Sequence, residues 1–318
     1  MQSNFRGWLP GELREATLDC LWQYVGEAPF KEPFFEETLG RCRSLPENSF
    51  SPPRLTKLDD LPRIAREVET VEPSAFVFHV SRCGSTLVSQ LLGLDERMIA
   101  LSEVPFFDQL LRARFRPILA AAVDLTAHLT AAIRLHAQKR TGTEEFLVIK
   151  LDSWHVAFHA ELRALYPRTP FILLYRHPAP VVRSHRARPG LHAVEGLLEP
   201  ALFGFPTEES TPETRESYLP RVLAFYFESF LQIARDDPQA RLFAYERDMV
   251  PVVESIAEFA GIELSTVHRQ EMRKRATFHG KYPGDSFQGE LFEDDPDEVL
   301  EPCLDLYDAL ERRRRAAT

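Results

Sequence analysis

Short apolar runs alternate with amphipathic stretches along the middle of the chain. Five of these runs are rich in β-branched and aromatic residues, which favour strands. The predicted strands are AFVFHV (75–80), MIAL (98–101), FLVIK (146–150), FILLY (171–175) and RLFAY (241–245). Continuous apolar strands separated by helices are typical of a parallel sheet covered on both faces. The pattern therefore predicts an α/β fold of three layers, with a central parallel sheet of about five strands.

The segments around these strands carry the helical spacing of apolar residues. The predicted helices lie over 85–94, 105–140 with a break at Pro117, 154–165 and 249–260, and another begins near Ala179. The stretch 188–217 is rich in Pro, Gly, Glu and Thr and predicts a long irregular connection. Such connections are commonly lids or binding loops.

The first 70 residues have a different pattern of apolar residues from the rest and contain no candidate site motif. Apolar positions at helical spacing predict three helical stretches broken by prolines: 9–25, 32–45 and 58–69. We therefore expect an N-terminal helical cap over 1–70 and a main α/β domain over 71–318, with the lid or insertion at about 188–217.

Composition excludes several classes of protein. Hydrophobic residues make up 44% and charged residues 27% of the 318 residues, as in ordinary globular proteins. The net charge of −10 provides no overall basic field for nucleic acid or an anionic membrane, so an anionic ligand needs a local group of cations. The four cysteines show no paired spacing, which fits a reducing compartment. No apolar run approaches about 18 residues, and we expect a cytoplasmic protein without a membrane span.

The turn after the first predicted main-domain strand has the composition of a phosphate cradle. SRCGST (81–86) leads directly into a helix, whose N-terminal N–H groups favour an anion. Compared with the nucleotide loop GxxxxGK[ST], Gly84 and Thr86 fit, but Ser85 stands at the lysine position. The nearest cation is Arg82. A donor whose transferred group carries one negative charge instead of two, such as an activated sulfate ester of a nucleotide, needs less neutralisation and no metal ion.

A second anion-binding pattern follows the fourth predicted strand. FILLY ends in Arg176, His177 and Pro178, and Ser184 follows within the next helix. In an open parallel sheet, ligands bind beyond the carboxyl ends of the strands, where a guanidinium holds a phosphate through two hydrogen bonds. The sequence therefore predicts that Arg176 and Ser184 converge on one anion, while His177 fixes the turn.

These motifs resemble those of one enzyme family. SRCGSTL (81–87) resembles the 5′-phosphosulfate loop of the PAPS-dependent sulfotransferases. PAPS is 3′-phosphoadenosine 5′-phosphosulfate. YRHPAPVVRSH (175–185) resembles the 3′-phosphate motif of the same family. FAYERDMVPVVESIAEFAGI (243–262) is similar to a further segment of the family. The match is closer to the branch of protein-tyrosine and bacterial sulfotransferases than to the cytosolic steroid and phenol branch. It covers about 75–290.

The resemblance implies a set of donor-binding residues. The expected 5′-phosphosulfate contacts are Arg82, Cys83, Gly84, Ser85 and Thr86, the expected 3′-phosphate contacts are Arg176 and Ser184, and Tyr245 and Lys281 are expected near the nucleotide. The chain departs from the commoner family loop at Ser81, Cys83 and Ser85, where Pro, Ser and Thr are frequent. These small polar changes leave a backbone cradle intact.

Two further residues are candidates for the chemistry. The resemblance implies Glu103, just after the second predicted strand, as the base and Lys150, at the end of the third, as the cation for the leaving oxygen. A solvated or helix-capping role for Glu103, and a histidine as the base, stay open. His155 and His159 have a zinc-binding spacing, but no third ligand accompanies them in the sequence, so no metal site is expected.

The combined interpretation is a PAPS-dependent sulfotransferase that moves a sulfuryl group to a hydroxyl and releases adenosine 3′,5′-bisphosphate. Its acceptor, a small molecule or a peptide, is expected between helices 105–140 and the lid. Phe106, Phe107, Phe203 and Phe205 in these segments indicate an apolar or aromatic acceptor. Two alternatives are a small-molecule kinase that holds a metal on Asp152 and a non-catalytic nucleotide-binding or scaffold protein. The oligomeric state stays open.

Overall fold

The computed structural model describes residues 4–49, 52–206, 215–278 and 300–316. The strands in these ranges are β1 (Trp8–Arg14), β2 (Asp19–Tyr24), β3 (Leu55–Lys57), β4 (Pro73–His79), β5 (Met98–Ser102), β6 (Phe146–Lys150), β7 (Phe171–Tyr175) and β8 (Ala240–Ala244). The helices are α1 (Phe35–Cys42), α2 (Leu61–Ile64), α3 (Ser85–Leu92), α4 (Pro105–Leu111), α5 (Pro117–Ala122), α6 (Leu125–His136), α7 (His159–Leu165), α8 (Pro178–Ala187), α9 (Arg215–Asp236), α10 (Met249–Phe259), α11 (Thr266–Arg275) and α12 (Glu301–Ala316).

The central sheet has five parallel strands in the order β5-β6-β4-β7-β8. The five strands predicted from apolar runs agree with the observed ones to within two residues at each end. Every residue of β7 is buried, and helices α3, α9, α10 and α12 pack against other strands of the sheet. The α/β fold with a central parallel sheet is confirmed. Because all five strands run the same way, their carboxyl ends form one edge.

The helix predicted over residues 9–25 is wrong. These residues form the antiparallel hairpin β1–β2, and β3 pairs with β2 to complete a three-stranded sheet. The inward residues Leu9 and Leu13 are four apart, a spacing that fits one face of a helix and one face of a strand equally. Cys20 and Trp22 are two apart and both buried, which only the strand period explains.

The N-terminal sheet packs against the main α/β unit. The side chain of Gln109 on α4 accepts a hydrogen bond from the N–H of Leu13 at 2.8 Å and donates to its carbonyl at 3.0 Å. Buried residues of β1 and β2 belong to the same hydrophobic cluster as the central sheet. The division of the chain at residue 70 stays a prediction, but its two parts share a core.

The segment 105–140 is divided further than the sequence suggested. A break falls before Pro117 as predicted, and a second falls at Asp124, whose carboxylate caps α6 by accepting from the N–H of Ala127 at 3.0 Å. The stretch 154–165 begins as a 3-10 helix over 153–158 before α7. Among the described residues, no helix combines the length and apolarity that crossing a bilayer requires.

Candidate active site

The loop between β4 and α3 has an unusual backbone. Ser81, Arg82 and Gly84 all have positive φ angles, of 65°, 50° and 81°. For the two residues that carry side chains, such a conformation costs about 1–2 kcal/mol each. The turn lies directly before the first residue of α3, where backbone N–H groups have no partner within the helix. This strained turn at a helix N-terminus is suited to an anion.

Gly84 also permits close packing that a larger residue would prevent. A Cβ atom at this position would lie 3.0 and 3.3 Å from two ring atoms of Tyr245. The guanidinium of Arg176 lies over the same ring, 4.2 Å from its centroid, and its Nη1 donates to the carbonyl of Arg82 at 3.1 Å. The structure therefore brings together Arg82, Gly84, Arg176 and Tyr245, which the sequence predicted on separate segments.

The other predicted donor-binding residues have different placements. The Cys83 side chain points into the core, with its Sγ 3.4 Å from a backbone carbonyl of β7, and burial raises the pKa of this thiol to about 11. Only the backbone of Cys83 is available to a ligand. Ser85 and Thr86 lie in the first turn of α3 and Ser184 lies on α8, while Lys281 falls outside the described residues.

The two predicted catalytic residues contact each other. Lys150 is the last residue of β6, its side chain is 1% exposed, and its Nζ bonds to Oε1 of Glu103. Glu103 follows β5 with a positive φ of 54°, and its N–H donates to the carbonyl of Lys150 at 2.8 Å. Helix α4 has Val104 as its N-cap, so the Glu103 carboxylate does not cap it.

His79, the last residue of β4, completes this group. Its Nδ1 accepts a hydrogen bond from the N–H of Ser81 at 3.1 Å, so the ring proton lies on Nε2. This Nε2 lies 2.8 Å from the carbonyl of Leu151 and 3.6 Å from Oε1 of Glu103.

These neighbours determine the protonation state of Glu103. Desolvation by itself would raise the pKa of Glu103, but the charge of Lys150 and the contact with His79 together hold this pKa well below its usual range. Burial lowers the pKa of His79. Glu103 is therefore a carboxylate beside a neutral histidine.

A cavity of about 380 Å³, called the inner cavity below, opens in front of this group. Its lining includes Arg82 of the loop, Glu103, Asp152 and Trp154 after β6, and His192 from the predicted lid.

A second cavity of about 660 Å³, called the outer cavity below, shares the lining residues Glu36, Pro105 and Asp108 with the first. It extends along the N-terminal sheet past Trp22. The hairpin that the sequence did not predict therefore forms a wall of the space next to the candidate site.

Asp108 on α4 holds several lining residues in place and was not singled out by the sequence. Its Oδ1 accepts from Nε1 of Trp154 at 2.7 Å and from Nε2 of His155 at 2.9 Å, and its Oδ2 accepts from Nη1 of Arg112 at 2.9 Å. Desolvation opposes ionisation, but His155 and Arg112 outweigh it and lower the pKa of Asp108 to about 2. The nearby Asp152 behaves oppositely, since burial and the charges of Glu103 and Asp108 raise its pKa.

The zinc spacing of His155 and His159 does not bring them to one ligand set. His155 donates to Asp108, whereas Nε2 of His159 lies 3.1 Å from Asp237. Ligand atoms of Asp108, Asp152 and His155 do lie within 4.8 Å of one another. A metal ion there would have to displace the hydrogen bonds that Asp108 already accepts.

The first part of the segment predicted as a lid is hydrogen-bonded to this region at three points. Nη2 of Arg82 donates to the carbonyl of Arg188 at 2.7 Å, and Arg112 holds Glu199 through two hydrogen bonds of 2.9 and 3.0 Å. His192 Nδ1 lies 3.3 Å from Oγ of Ser153. The described part of this segment, 188–206, contributes Gly190, Leu191 and His192 to the cavity lining. Residues 207–214 lie outside the described residues, and α9 begins at 215.

The four phenylalanines that suggested an apolar acceptor do not line either cavity. Phe106 and Phe107 are 0% and 2% exposed in the core. Phe203 packs on Phe205, with ring centroids 5.6 Å apart. These side chains stabilise α4 and the lid, so they carry no information about the acceptor.

Replacement of Asp108 by asparagine tests the network around Trp154. The pKa of the Asp108 carboxyl is about 2 in the folded protein and 3.8 ordinarily. The ionised carboxylate therefore stabilises the fold at neutral pH. This stabilisation is lost as the pH falls through 4 towards 2. A shift of this size corresponds to about 2 kcal/mol. Asp108→Asn should lower the free energy of unfolding at pH 7 by that order and flatten its decline between pH 5 and 2, measured by urea titration. Asp305→Asn, at an exposed position, is the control. If the free energy of unfolding of Asp108→Asn fell between pH 5 and 2 as steeply as that of the wild type, the stabilising role of the Asp108 carboxylate would be contradicted.

Comparisons with known proteins give matches among solved structures alone. No protein-family model matches the sequence, and no curated protein matches it. The chain is similar to the sulfotransferase domain of the curacin biosynthetic pathway, with 15% identity and a TM-score of 0.46 over 76% of this chain and 99% of that one. It is similar to a sulfotransferase of Mycobacterium tuberculosis H37Rv (18% identity, TM-score 0.43, 66% and 72% coverage) and to one of Alicyclobacillus acidocaldarius (15%, 0.43, 77% and 95%). At these identities and TM-scores, the likenesses assign no activity, ligand or residue role to this chain.

Proposed function

We propose that this protein is a sulfotransferase that transfers a sulfuryl group from PAPS to a hydroxyl of a small-molecule acceptor and releases adenosine 3′,5′-bisphosphate. One observation carries the proposal: a single cavity is lined by Arg82 of the anion-binding loop and by Glu103, whose carboxylate is bonded to the buried Lys150. An anion grip, a base and a cation thus meet beyond the carboxyl ends of three adjacent strands.

The residues present fit the proposed donor. The left-handed turn at 81–84 and the start of α3 are suited to the 5′-phosphosulfate, and the resemblance to the family assigns the 3′-phosphate to Arg176 and Ser184. Arg176 contacts the loop itself, so the two anion-binding groups are adjacent, as one nucleotide with two anionic ends requires. Bound PAPS supplies the sulfuryl group and a phosphate as the leaving group.

Glu103 and Lys150 divide the chemistry in this proposal. Glu103 takes the proton of the acceptor hydroxyl, and Lys150 neutralises the charge that develops on the bridging oxygen. As long as Lys150 stays on Glu103, the low pKa of this carboxyl makes it a weak base. When the ammonium turns towards the leaving oxygen, its charge no longer offsets the effect of desolvation on Glu103. The pKa of Glu103 then rises, and the carboxylate becomes a stronger base. The ion pair therefore links proton removal to departure of the leaving group.

The shape and lining of the two cavities support a polar acceptor. The inner cavity combines the aromatic side chains Phe34 and Trp154 with the carboxyl groups of Glu36 and Asp152. The outer cavity extends the space along β2 and α1. We infer that the hydroxyl binds at Glu103 and that the remainder of the acceptor runs towards the N-terminal sheet.

The cytoplasmic location expected from the sequence remains part of the proposal. All four cysteines are buried free thiols, which supports a reducing compartment.

Nucleotide binding by thermal shift tests the donor. Adenosine 3′,5′-bisphosphate should raise the melting temperature more than adenosine 5′-monophosphate at equal concentration, since a ligand that binds the native state stabilises it. Arg176→Ala should weaken bisphosphate binding by about 10- to 100-fold through loss of a charge-assisted contact and leave monophosphate binding nearly unchanged. Arg66→Ala, which removes an exposed arginine elsewhere, is the control. Equal responses to both nucleotides, or a preference for ATP with Mg²⁺, would contradict the donor assignment; the second outcome would favour the kinase alternative.

Variants of the ion pair test the chemistry separately. Glu103→Gln and Lys150→Met should each reduce release of bisphosphate from PAPS in the presence of a panel of simple phenols and sugars by about 10²-fold or more. Affinity for adenosine 3′,5′-bisphosphate should change by no more than about threefold, because these groups act mainly in the transition state. Circular dichroism establishes that each variant is folded. Lost affinity with normal turnover would reassign Lys150 to nucleotide binding.

A further inference from the structure

His79 ends β4 and lies between the anion-binding loop (81–86) and the pair formed by Lys150 and Glu103. Its side chain is 4% exposed, and the residue lines the inner cavity together with Arg82. In the sequence, His79 stands at the first glycine position of the ordinary nucleotide loop, where no side chain is needed. The donor-binding groups and the catalytic pair proposed above leave the ring of His79 without a role.

One nitrogen of this ring holds the loop. Nδ1 of His79 accepts a hydrogen bond from the N–H of Ser81, two residues further on, at 3.1 Å. A backbone N–H group only donates, so this contact places the proton of the neutral ring on Nε2. Ser81 and Arg82 both have left-handed backbones, and a side chain that accepts from the N–H two residues on is a common support for a turn. The ring therefore stabilises the strained start of the anion-binding loop.

The other ring nitrogen reaches the end of β6. Nε2 of His79 donates to the carbonyl of Leu151, the residue after this strand, at 2.8 Å. The same atom lies 3.6 Å from Oε1 of Glu103. The N–H of Leu151 donates to the carbonyl of Val77 at 3.1 Å, so β4 and β6 are still adjacent at this point. One rigid ring thus joins the loop to the strand that carries Lys150, with its acceptor at one end and its donor at the other.

These contacts exclude His79 as the base. The lone pair of Nδ1 is occupied by the N–H of Ser81, and Nε2 carries the ring proton, so neither nitrogen is available to take a proton from an acceptor hydroxyl. Burial and the charge of Lys150 lower the pKa of His79, so the ring stays neutral and Nδ1 stays an acceptor. The ring is therefore suited to hold its neighbours in place.

We propose that His79 is a positioning residue whose ring fixes the anion-binding loop relative to Lys150 and Glu103. This role rests on the proposed function. In that function the loop holds the donor and Glu103 holds the acceptor hydroxyl, so in-line transfer requires a fixed distance between them. A displacement of about 1 Å costs about 10²-fold in rate. The contact with Ser81 acts on donor binding, whereas the contacts with Leu151 and Glu103 act on turnover.

Two amide variants separate the two ends of the ring. The side-chain oxygen of asparagine is as many bonds from Cα as Nδ1 of histidine, and the amide nitrogen of glutamine is as many bonds away as Nε2. His79→Asn should therefore keep the acceptor for Ser81 and lose the donor to Leu151, whereas His79→Gln should do the reverse. Affinity for adenosine 3′,5′-bisphosphate is measured by calorimetry. Turnover is measured as release of bisphosphate from PAPS with the panel of phenols and sugars.

The expected results divide between the two measurements. His79→Asn should bind bisphosphate within about twofold of the wild type and lose about tenfold or more in turnover. His79→Gln should bind bisphosphate about tenfold more weakly, because the N–H of Ser81 loses its acceptor, and should turn over faster than His79→Asn at saturating PAPS. His79→Phe should show both losses. The contrast in affinity requires no acceptor.

His128→Asn and His128→Gln are the matched controls. His128 is a buried histidine on α6, and the described lining of the two cavities does not include it. Both measurements should therefore stay at the wild-type values in these two variants.

A purely structural role of His79 predicts a lower melting temperature in all three of its variants without this division. Equal losses of affinity and turnover in His79→Asn and His79→Gln, or wild-type values in His79→Phe, would overturn the positioning role alone. Failure of the wild-type protein to bind bisphosphate would instead remove the proposed function, and this role with it.

The tautomer of His79 gives a test that requires no variant to fold. In long-range ¹H–¹⁵N spectra of the wild-type protein at pH 7, His79 should be neutral, with its proton on Nε2 and an unprotonated Nδ1. A proton on Nδ1 is incompatible with the hydrogen bond from Ser81 and would overturn the proposal.

Discussion

The buried contact between Lys150 and Glu103 is the constraint on which the candidate site depends. An ammonium that is 1% exposed at the end of a sheet strand is tolerated only when a counter-charge accompanies it. Glu103 reaches it because β5 and β6 are neighbours and because the residue adopts a left-handed backbone directly after β5. The pair is therefore a consequence of strand order, and it fixes where a carboxylate and an ammonium lie together at the edge of the sheet.

The remaining parts of the site are arranged around that pair by side chains that hold the lid and the loop. Arg82 bonds to the backbone where the lid begins, and Arg112 holds Glu199 further along it. Asp108 links Arg112 to Trp154 and His155 behind the cavity. The wall formed by the lid is thus coupled to the ends of the strands, so a change in one is expected to move the other.

The sequence predicts the framework of this site well and its walls poorly. The five strands and the placement of Glu103, Lys150 and the two arginines at one sheet edge follow from apolar runs and from what comes directly after each strand. The hairpin β1–β2 was missed because the spacing of Leu9 and Leu13 suits both periods, and a turn at 15–18 without glycine gave no signal.

Other residues around the cavity leave no local mark in the sequence. Asp108 lies within an amphipathic helix and His192 within an irregular loop, and each lies beside the cavity because of partners far along the chain. The phenylalanines of α4 and the lid gave a misleading indication for the related reason that composition does not distinguish a core side chain from a cavity wall. Long-range packing decides which polar side chains surround the cavity.

A crystal structure of the protein with adenosine 3′,5′-bisphosphate would locate both phosphate groups relative to the two arginines. We expect the 5′-phosphate on the backbone N–H groups of 83–86 and the 3′-phosphate against Arg176, with Lys150 and Glu103 at the open side of the 5′-phosphate. A nucleotide bound in another part of the molecule, or one whose 3′-phosphate lies away from Arg176, would contradict it.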